Sequence, residues 1–413
     1  MNDDKSMKHK ILLLASGYKY SGSANGVCAR NLVREFIRKG HEAYVIAVPH
    51  DNETGVESID GAKVWFVRDE LQTRILTYLQ QHKTNVFLRF IYKYYSLVRA
   101  LLVAPLYPNA ARIRVHNILK TSNEIIKKYG VDIVIGTCLP YDGIATSMIL
   151  KKKYGARIRV VTYHFDILST PNNDAGAIYA FKKKRFAKAF TKELQIVDRV
   201  FLPETAKDLH GDKCNIRYIG LPVYLPETSN VIDCPIQFSH DVYNIVYIGS
   251  LDVRNRSVQP AIDLLRQLNQ KSKKKYLLHI WGCMTDGDTK IIVEKSNDVV
   301  EYHGMLENDK VKSVMKNADF LLNISNSLLY KLLPSKIFTM FSTGKPIINI
   351  INNVNDCSLP YFEKYKNVFS VNVKDIKHCD ADPSCLFNNS VNADKLFIAY
   401  MPSTITKKLL GDD

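Results

Sequence analysis

The sequence lacks the cysteine spacings that build zinc sites and disulfide frameworks. Its eight cysteines are scattered over 413 residues, with no CxxC pair and no Cys/His cluster at zinc spacing. The longest apolar stretch, LVRALLVAPLYP, is interrupted by Arg99 and Pro105 and is shorter than the roughly 20 residues of a spanning helix. The opening MNDDKSMKHKILLLASG holds an apolar run too short for the core of a signal peptide. We therefore expect reduced thiols, a cytoplasmic location and no transmembrane segment.

Carboxylates are missing from two segments. Residues 82–120 contain seven Lys or Arg and no Asp or Glu, and residues 181–192 contain six Lys or Arg, again without an acid. The whole chain carries a formal net charge of +16. Such a surface favours anions: nucleic acid, the phosphates of sugar nucleotides, or anionic lipid. No nucleic-acid recognition motif accompanies the charge, so we expect no nucleic-acid partner.

The length and the residue pattern predict two α/β domains. At 413 residues the chain exceeds the roughly 250–300 residues that one core supports. Short apolar strands alternate with amphipathic helices, which is typical of parallel sheets. The alternation breaks between 202 and 243, where prolines and polar residues accumulate. We predict one Rossmann-like domain at 1–205, a second at 206–396, and a C-terminal segment, 397–413, that packs back on the first.

The loops that follow the strands are the expected ligand sites, because open parallel sheets bind ligands at the carboxyl ends of their strands. The first such loop, SGYKYSGSANG, contains Gly22 and opens a helix at 24–38. Glycines there allow backbone N–H groups to approach a phosphate or a sugar. The spacing is not GxGxxG, so a plain flexible turn is the alternative.

Two loops of the second domain bring cations to strand ends. In LLNISNSLLYKLLPSKIFTMFSTGKPIINI, Pro334 suits the first turn of a helix, which places Ser335 and Lys336 at its N-terminus. An ordinary helix start with a solvated lysine is the alternative. In YIGSLDVRNRSVQPAIDLL, Arg254 and Arg256 follow a strand end and can hold a diphosphate. Gly249 and Ser250 end that strand.

These motifs resemble GT-B-fold glycosyltransferases, in particular the family 4 type of bacterial polysaccharide and lipopolysaccharide biosynthesis. LPSKIFTMFSTGKPII is similar to the family's PSK-x-F-E-Y-x-x-x-GKP signature, and YIGSLDVRNR resembles a strand followed by an Arg-Asn pattern. The resemblance covers most of the chain and implies two Rossmann-like domains facing across a cleft. It also implies that Ser335 and Lys336 hold the donor phosphates, that Arg254 or Arg256 assists, and that Gly22 approaches the same phosphates.

One position departs from the family pattern. Where the signature has a glutamate that binds ribose hydroxyls, this sequence has Thr339, and Lys331 replaces a second glutamate eight residues earlier. A threonine offers one hydrogen bond in place of the two charge-assisted acceptors of a carboxylate. We expect altered donor affinity or identity, and the change also supports a non-catalytic alternative.

The acceptor-side candidates lie in the first domain. VVTYHFDILSTP ends a strand with His164 and Asp166, which resembles the His-x-Asp of many relatives. His164 is expected to contact the transferred sugar or the acceptor and Asp166 to orient it, although a histidine at a strand end is often structural. Asp142, in LPYDG, is a weaker acceptor-side candidate.

We expect no metal site and no cofactor, since the nucleotide sugar is a substrate. Two DxD matches, at 286–288 and 380–382, fall late in polar loops, where chance matches are common.

The expected reaction is transfer of a hexose-type sugar from a nucleotide diphosphate to a saccharide or lipid-linked saccharide. The resemblance implies retention of the anomeric configuration.

The basic, aromatic segments FLRFIYKYYSLVRALL and FKKKRFAKAF suggest an anionic membrane surface as a partner, at the inner leaflet of the plasma membrane, with an ordinary solvated face as the alternative. A sugar-nucleotide epimerase on the same scaffold is the other enzyme class that the pattern allows. The expected catalytic residues are His164, Asp166, Arg254 and Lys336, and the expected donor-binding residues are Gly22, Gly249, Ser250, Arg256, Ser335 and Thr339.

Overall fold

The chain forms two compact units. A computed structural model describes residues 8–19, 24–49, 54–81, 86–138, 140–166, 176–211, 213–226, 233–307, 309–328, 330, 333–379, 381–389 and 391–411. The first unit comprises Met1–Pro222 and Ala399–Asp413, and the second comprises Val223–Ile398. The boundary lies at Pro222 and not near residue 205, because the short strand Ile216–Ile219 still pairs in the first sheet.

The first unit is a predominantly parallel sheet flanked by helices. Its strands are β1 (Lys10–Leu14), β2 (Glu42–Ala47), β3 (Gly55–Ile59), β4 (Ala62–Phe66), β5 (Ile133–Cys138), β6 (Arg159–His164), β7 (Arg199–Pro203) and β8 (Ile216–Ile219). Its helices are α1 (Ala24–Arg38), α2 (Leu71–Gln81), α3 (Val86–Val103), α4 (Arg112–Tyr129), α5 (Asp142–Tyr154), α6 (Gly176–Ile196) and α7 (Lys207–His210). The strand order is β3-β4-β2-β1-β5-β6-β7-β8, with β3 antiparallel to β4 at the edge.

Alternation of apolar residues explains why helices cover both faces of this sheet. Leu12 and Leu14 of β1 belong to a core that also contains side chains of α4, α5 and α6. Ile11 and Leu13 are equally buried and point to the opposite face, because successive side chains of a strand alternate. A strand buried on both faces reads as a continuous apolar run, as KILLL does.

The second unit is a fully parallel sheet within its described residues. Its strands are β9 (Val242–Ile248), β10 (Lys275–Trp281), β11 (Val300–Tyr302), β12 (Phe320–Ile324), β13 (Ile347–Ile351) and β14 (Val368–Asn372). Its helices are α8 (Gln259–Lys271), α9 (Gly287–Glu294), α10 (Val311–Asn317), α11 (Lys336–Phe341), α12 (Leu359–Tyr365) and α13 (Ala393–Leu396). The order β11-β10-β9-β12-β13-β14 is that of the doubly wound Rossmann fold.

The chain returns to the first unit in its last helix, α14 (Pro402–Leu410), which packs on α1. Ile405 and Leu409 of α14 are fully buried. The guanidinium of Arg159, at the start of β6, donates hydrogen bonds to the carbonyls of Leu409 and Leu410. These contacts satisfy carbonyls that the end of α14 leaves without intrahelical partners. Across the described helices of both units, none has the length and apolar character needed to cross a bilayer.

Candidate functional site

Each sheet has one point where successive strands switch from one side to the other. In the second unit this switch lies between β9 and β12, and in the first unit between β1 and β5. The loops at the carboxyl ends of strands diverge at such a point, and ligands of open α/β sheets bind there. At both switch points, polar side chains lie in the loops that follow the carboxyl ends of the apolar strands.

Two glycines shape the switch point of the second unit. Gly249 follows β9 and Gly282 follows β10, with φ of +155° and +134°. A Cβ on Gly282 would lie 2.0 Å from the Gly249 carbonyl oxygen, and a Cβ on Gly249 would lie 3.0 Å from Lys336 Nζ. Only glycine fits both positions, so the two strand ends approach each other and the lysine without an intervening side chain.

The ammonium group of Lys336 is buried beside this glycine pair. Its Nζ lies 4.3 Å from the centroid of the Tyr247 ring and has no hydrogen-bond partner among the described residues. Burial, with a smaller contribution from the positive charge of Arg256, holds the pKa of Lys336 well below its ordinary value. An unpaired buried cation is costly, so the arrangement provides a place for an anion.

Arg256 is held at the same switch point by the loop that follows β12. Its Nε donates to Asn326 Oδ1 at 2.6 Å, and the Asn255 amide donates to the same oxygen at 3.2 Å. The guanidinium also lowers the pKa of Tyr247, partly offsetting the burial that raises it to about 12. Lys336 and Arg256 therefore bring two positive groups to one tyrosine ring.

Asp356, after β13, holds the loop that positions Arg256 beside Lys336. These two cations and Tyr247 are called the Lys336 cluster. Its Oδ2 accepts a hydrogen bond from the Asn326 backbone N–H at 3.2 Å, and its Oδ1 accepts one from the Ser358 N–H at 2.8 Å. Burial raises the pKa of Asp356, although Ser358 hydrogen bonds and Arg256 oppose the shift. No sequence motif indicated a role for Tyr247, Asn326 or Asp356 at this site. The strand-end rule that selected Lys336 applies equally to Asn326 and Asp356.

The other predicted donor residues lie in the same loops with different exposures. Ser335 is the residue before α11 and its hydroxyl makes no capping hydrogen bond, while Thr339 lies one turn into α11, half-buried. The Ser250 carbonyl accepts a hydrogen bond from the Tyr247 hydroxyl at 2.9 Å. Arg254 is exposed, in a turn closed by backbone hydrogen bonds between Asp252 and Arg256. Of the two candidate arginines, Arg256 is thus the one placed beside Lys336.

A carboxylate occupies the switch point of the first unit. Asp142, at the start of α5, is 2 % exposed and its Oδ2 accepts a hydrogen bond from Ser16 Oγ, after β1, at 2.7 Å. Arg114 Nη1 lies 3.5 Å from the same oxygen. The other oxygen, Oδ1, has no partner among the described residues. Burial raises the pKa of Asp142 despite the attraction of Arg114.

A second carboxylate follows the neighbouring strand. Asp166, after β6, accepts a hydrogen bond from the Asn25 amide in the first turn of α1 at 3.1 Å. Burial raises its pKa, and the Asn25 hydrogen bond opposes that shift. Gly22, which precedes α1, lies outside the described residues.

His164 is placed differently from its predicted role. Its Nε2 lies 2.8 Å from Glu193 Oε1, and Thr162 donates to the same oxygen at 2.5 Å. Glu193 is fully buried, and the His164 side chain is 2 % exposed. These contacts favour a structural role for the His164 ring, because its Nε2 is paired with a carboxylate buried inside the first unit. Contact of His164 with a sugar remains a prediction.

Comparison with known proteins gives the fold a name. No family model and no curated protein matches the chain. Among solved structures, it is similar to a glycosyltransferase from Rickettsia africae ESF-5 at 13% identity and a TM-score of 0.57, covering 98% of this chain and 97% of that one. It is also similar to the catalytic domain of starch synthase IV from Arabidopsis thaliana bound to ADP and acarbose, at 10% identity and a TM-score of 0.53, covering 97% and 100%. A putative UDP-N-acetylglucosamine 2-epimerase from Listeria monocytogenes gives 9% identity and a TM-score of 0.50, covering 98% and 95%. The chain has the GT-B fold.

Within this GT-B chain, the described DxD carboxylates serve local structure. Asp286 accepts hydrogen bonds from the backbone N–H of Thr289 at 2.7 Å and of Val253 at 3.1 Å, which caps α9 and fixes the turn after β9. Asp382 accepts hydrogen bonds from the Tyr276 hydroxyl and the Ser384 N–H. Asp380 lies outside the described residues.

Proposed function

We propose that this chain is a glycosyltransferase that uses a nucleoside-diphosphate sugar as donor. The observation that carries the proposal is the buried ammonium of Lys336, which lacks a hydrogen-bond partner among the described residues and lies beside Arg256 at the switch point of the second unit. A diphosphate supplies the negative charge that this pair lacks. The glycosyltransferases among the similar structures support the same assignment.

In the proposed reaction the two cations stabilise the leaving diphosphate. Negative charge develops on that group as the bond to the sugar breaks, and Lys336 and Arg256 become better paired as it does so. Asn326 keeps the Arg256 guanidinium in position through its 2.6 Å hydrogen bond. Preorganised electrostatic contacts of this kind are worth about 10²–10³ in rate each. Retention of the anomeric configuration, with a donor phosphate oxygen helping to deprotonate the acceptor, rests on the family resemblance.

The acceptor is assigned to the first unit, where the carboxylates collect. Asp166 and Asp142 both have pKa values raised by burial, which suits a carboxylate that accepts a proton or orients a hydroxyl. Asp142 Oδ1 has no partner among the described groups, but its side chain is buried, whereas Asp166 is only partly buried. Asp166 is the stronger candidate for orienting the acceptor, because it follows directly on β6.

Calorimetric titration of UDP, GDP, dTDP and CDP tests the donor site. We expect one of these nucleotides to bind the wild-type protein with a micromolar dissociation constant and without added metal. Replacement of Lys336 by alanine should weaken that binding by about 10–100-fold, since a charge-assisted phosphate contact is lost. The matched control is Lys290→Ala, which removes an exposed lysine of α9.

Two results would contradict the donor assignment. If no nucleotide binds, the chain lacks a working donor site and the non-catalytic alternative, raised by Thr339, replaces the enzyme proposal. If Lys336→Ala and Lys290→Ala bind equally well, the phosphates do not reach the switch point. Chromatography of products with and without acceptor separates transfer from epimerisation, because an epimerase changes the sugar nucleotide alone.

We further propose that the acceptor is lipid-linked and that the first unit docks on an anionic leaflet at the cytoplasmic face, as in polysaccharide or lipopolysaccharide assembly. The supporting feature is an apolar stripe along α3 whose side chains are all exposed. Its members follow helical spacing and are Phe87, Phe90, Ile91, Tyr94, Leu97, Val98, Leu101 and Leu102. Leu101 and Leu102 are 71% and 73% exposed. A contiguous exposed apolar face marks an interaction surface.

Basic side chains adjoin this stripe within the first unit. Arg185 of α6 donates a hydrogen bond to the Pro105 carbonyl just after α3, and the Lys182 ammonium lies 5.8 Å from the ring centroid of Tyr107. Lys183, Lys184 and Lys188 on α6 are exposed. Apolar residues flanked by exposed lysines are typical of helices that lie in an anionic membrane interface.

Liposome flotation tests the docking surface. The wild-type protein should float with anionic vesicles and remain below with neutral ones. The double variant Leu101→Ser, Leu102→Ser should bind about tenfold less, because two apolar side chains no longer enter the interface. The matched control, Met305→Ser with Val354→Ser, removes equally exposed apolar side chains of the second unit. Equal flotation on neutral vesicles, or equal flotation of the two double variants, would rule the surface out.

A further inference from the structure

We propose that the second unit binds a zinc ion through His279, Glu301 and His303. The site lies on β10 and at the end of β11, shares no side chain with the Lys336 cluster, and does not depend on the proposed transferase activity. The sequence pattern gave no signal for it, because the two histidines are 24 residues apart and only the pairing of their strands brings them together.

The parallel register places the three side chains on one face of the sheet. His279 pairs directly with Glu301, and His303 lies two residues beyond Glu301, so both side chains point the same way. His279 Nδ1 lies 3.1 Å from His303 Nε2 and 3.3 Å from the Glu301 carboxylate, and the third edge is 3.7 Å. Tetrahedral ligands at the usual zinc bond lengths are separated by roughly 3.3 Å.

A hydrogen bond behind the site fixes which nitrogen of His279 is free to bind a metal. His279 Nε2 lies 3.1 Å from Asn244 Oδ1. The Asn244 amide nitrogen donates to the Ser239 carbonyl at 2.8 Å and to Asp319 at 3.1 Å, so its oxygen faces the ring and must accept. Nε2 therefore carries the proton, and Nδ1 presents a lone pair toward His303 and Glu301. This outer hydrogen bond is the usual support of a metal-bound histidine.

Two hydrogen-bond acceptors, His279 Nδ1 and the Glu301 carboxylate, face each other in this arrangement. A proton on His303 Nε2 can be donated to His279 Nδ1, which satisfies one lone pair. The Glu301 carboxylate then still lies 3.3 Å from the same acceptor nitrogen. A divalent ion bound by all three atoms removes this repulsion and uses the lone pair of each facing ring nitrogen.

The surroundings suit a zinc site with three protein ligands and one water ligand. The Trp281 ring stacks on His303 at 4.3 Å, and Phe238 meets the His279 ring edge-on at 5.0 Å, so both imidazoles are held. Glu301 is about half exposed, at 52%, which gives the ion an entry path and leaves room for a water ligand. Two nitrogens, one carboxylate oxygen and water are a common zinc ligand set.

Zinc titration of chelator-treated, full-length protein tests the site. We expect one equivalent of Zn²⁺ to bind and to raise the melting temperature. His303→Gln should lower zinc affinity by about 100-fold and Glu301→Gln by about tenfold or more, since each removes a ligand. The matched control His240→Gln, an exposed histidine of the same unit, should bind like the wild type. Nucleotide binding by His303→Gln should be unchanged, which separates this test from that of the donor site.

Cobalt spectroscopy identifies the ligand atoms. Co²⁺ should give the visible bands of a four-coordinate nitrogen and oxygen site, and these should disappear in His303→Gln. A thiolate charge-transfer band would indicate binding at one of the exposed cysteines, such as Cys283, and would overturn the assignment. No saturable zinc binding by the wild type, or equal binding by His303→Gln and His240→Gln, would overturn it as well.

Discussion

Replacement of Lys336 by methionine should lower the proposed glycosyl transfer by about 10²–10³-fold and yet stabilise the second unit by about 1–3 kcal/mol. The two effects share one cause. The ammonium is buried without a hydrogen-bond partner among the described residues, so removing its charge relieves a desolvation penalty. Methionine keeps most of the apolar stem in contact with the Tyr247 ring. The activity falls because the diphosphate loses its paired cation.

The stabilisation should depend on pH with a definite sign. The folded pKa of Lys336 lies well below its ordinary value of 10.5. Between these two values the unfolded chain binds more protons than the folded one, so wild-type stability rises with pH across that window. Below the folded pKa the penalty is complete. The advantage of Lys336→Met should therefore shrink as the pH rises toward 10.5.

Tryptophan fluorescence can follow this unit alone. The chain has two tryptophans, Trp65 in the first unit and Trp281 in the second. In a Trp65→Phe background, urea unfolding monitored by fluorescence reports the second unit. The control is Lys290→Met, at the exposed lysine already used for the calorimetric control, and it should change neither stability nor the proposed transfer. A loss of stability in Lys336→Met that persists at every pH would show that the ammonium is already neutralised by a partner.

Replacement of Gly282 by alanine should destabilise the second unit by about 2–4 kcal/mol and remove nucleotide binding. The added Cβ would lie 2.0 Å from the Gly249 carbonyl oxygen, and both atoms belong to backbone-fixed positions. The φ of +134° at Gly282 adds strain for any other residue. Relief of the clash must move Gly249, which neighbours Lys336 Nζ. The Lys336 cluster therefore shifts even in molecules that remain folded.

Gly287→Ala is the matched control for this prediction. Gly287 is the first residue of α9, and a Cβ there meets nothing within 4 Å. Its replacement should change stability by less than about 1 kcal/mol, in the stabilising direction. Urea unfolding in the Trp65→Phe background and nucleotide calorimetry measure both variants. Equal stability of the two alanine variants would mean that the β9 and β10 ends separate freely.

The sequence was sufficient for the elements whose apolar pattern is strong. The predicted helix at 24–38 coincides with α1, and the helix predicted to start near Pro334 is α11, which begins at Lys336. The edge strand β3 has no such signal, because its residues are mostly exposed and carry no apolar alternation. The predicted domain boundary, at residue 205, precedes the observed one at Pro222. The short strand β8 lies between prolines, so its segment resembles a linker.

The candidate site was predictable only in its strand-end positions. Sequence places Arg254 and Arg256 in one loop and cannot tell which side chain turns inward. The hydrogen bond to Asn326, 70 residues away, makes that choice. His164 behaves in the same way, since its partner Glu193 lies 29 residues later on α6. Pairings of this range follow from helix and strand packing, which local patterns do not encode.

The position of α14 bears on how the protein is made. The second unit is inserted between β8 and α14 of the first, so the first unit is encoded in two pieces. During synthesis α14 emerges only after the whole second unit has left the ribosome. Until then the face of α1 on which α14 packs is uncovered, and the hydrogen bonds from the Arg159 guanidinium to the carbonyls of Leu409 and Leu410 cannot form. The first unit can thus begin folding before the second but completes its packing only after the second has been made.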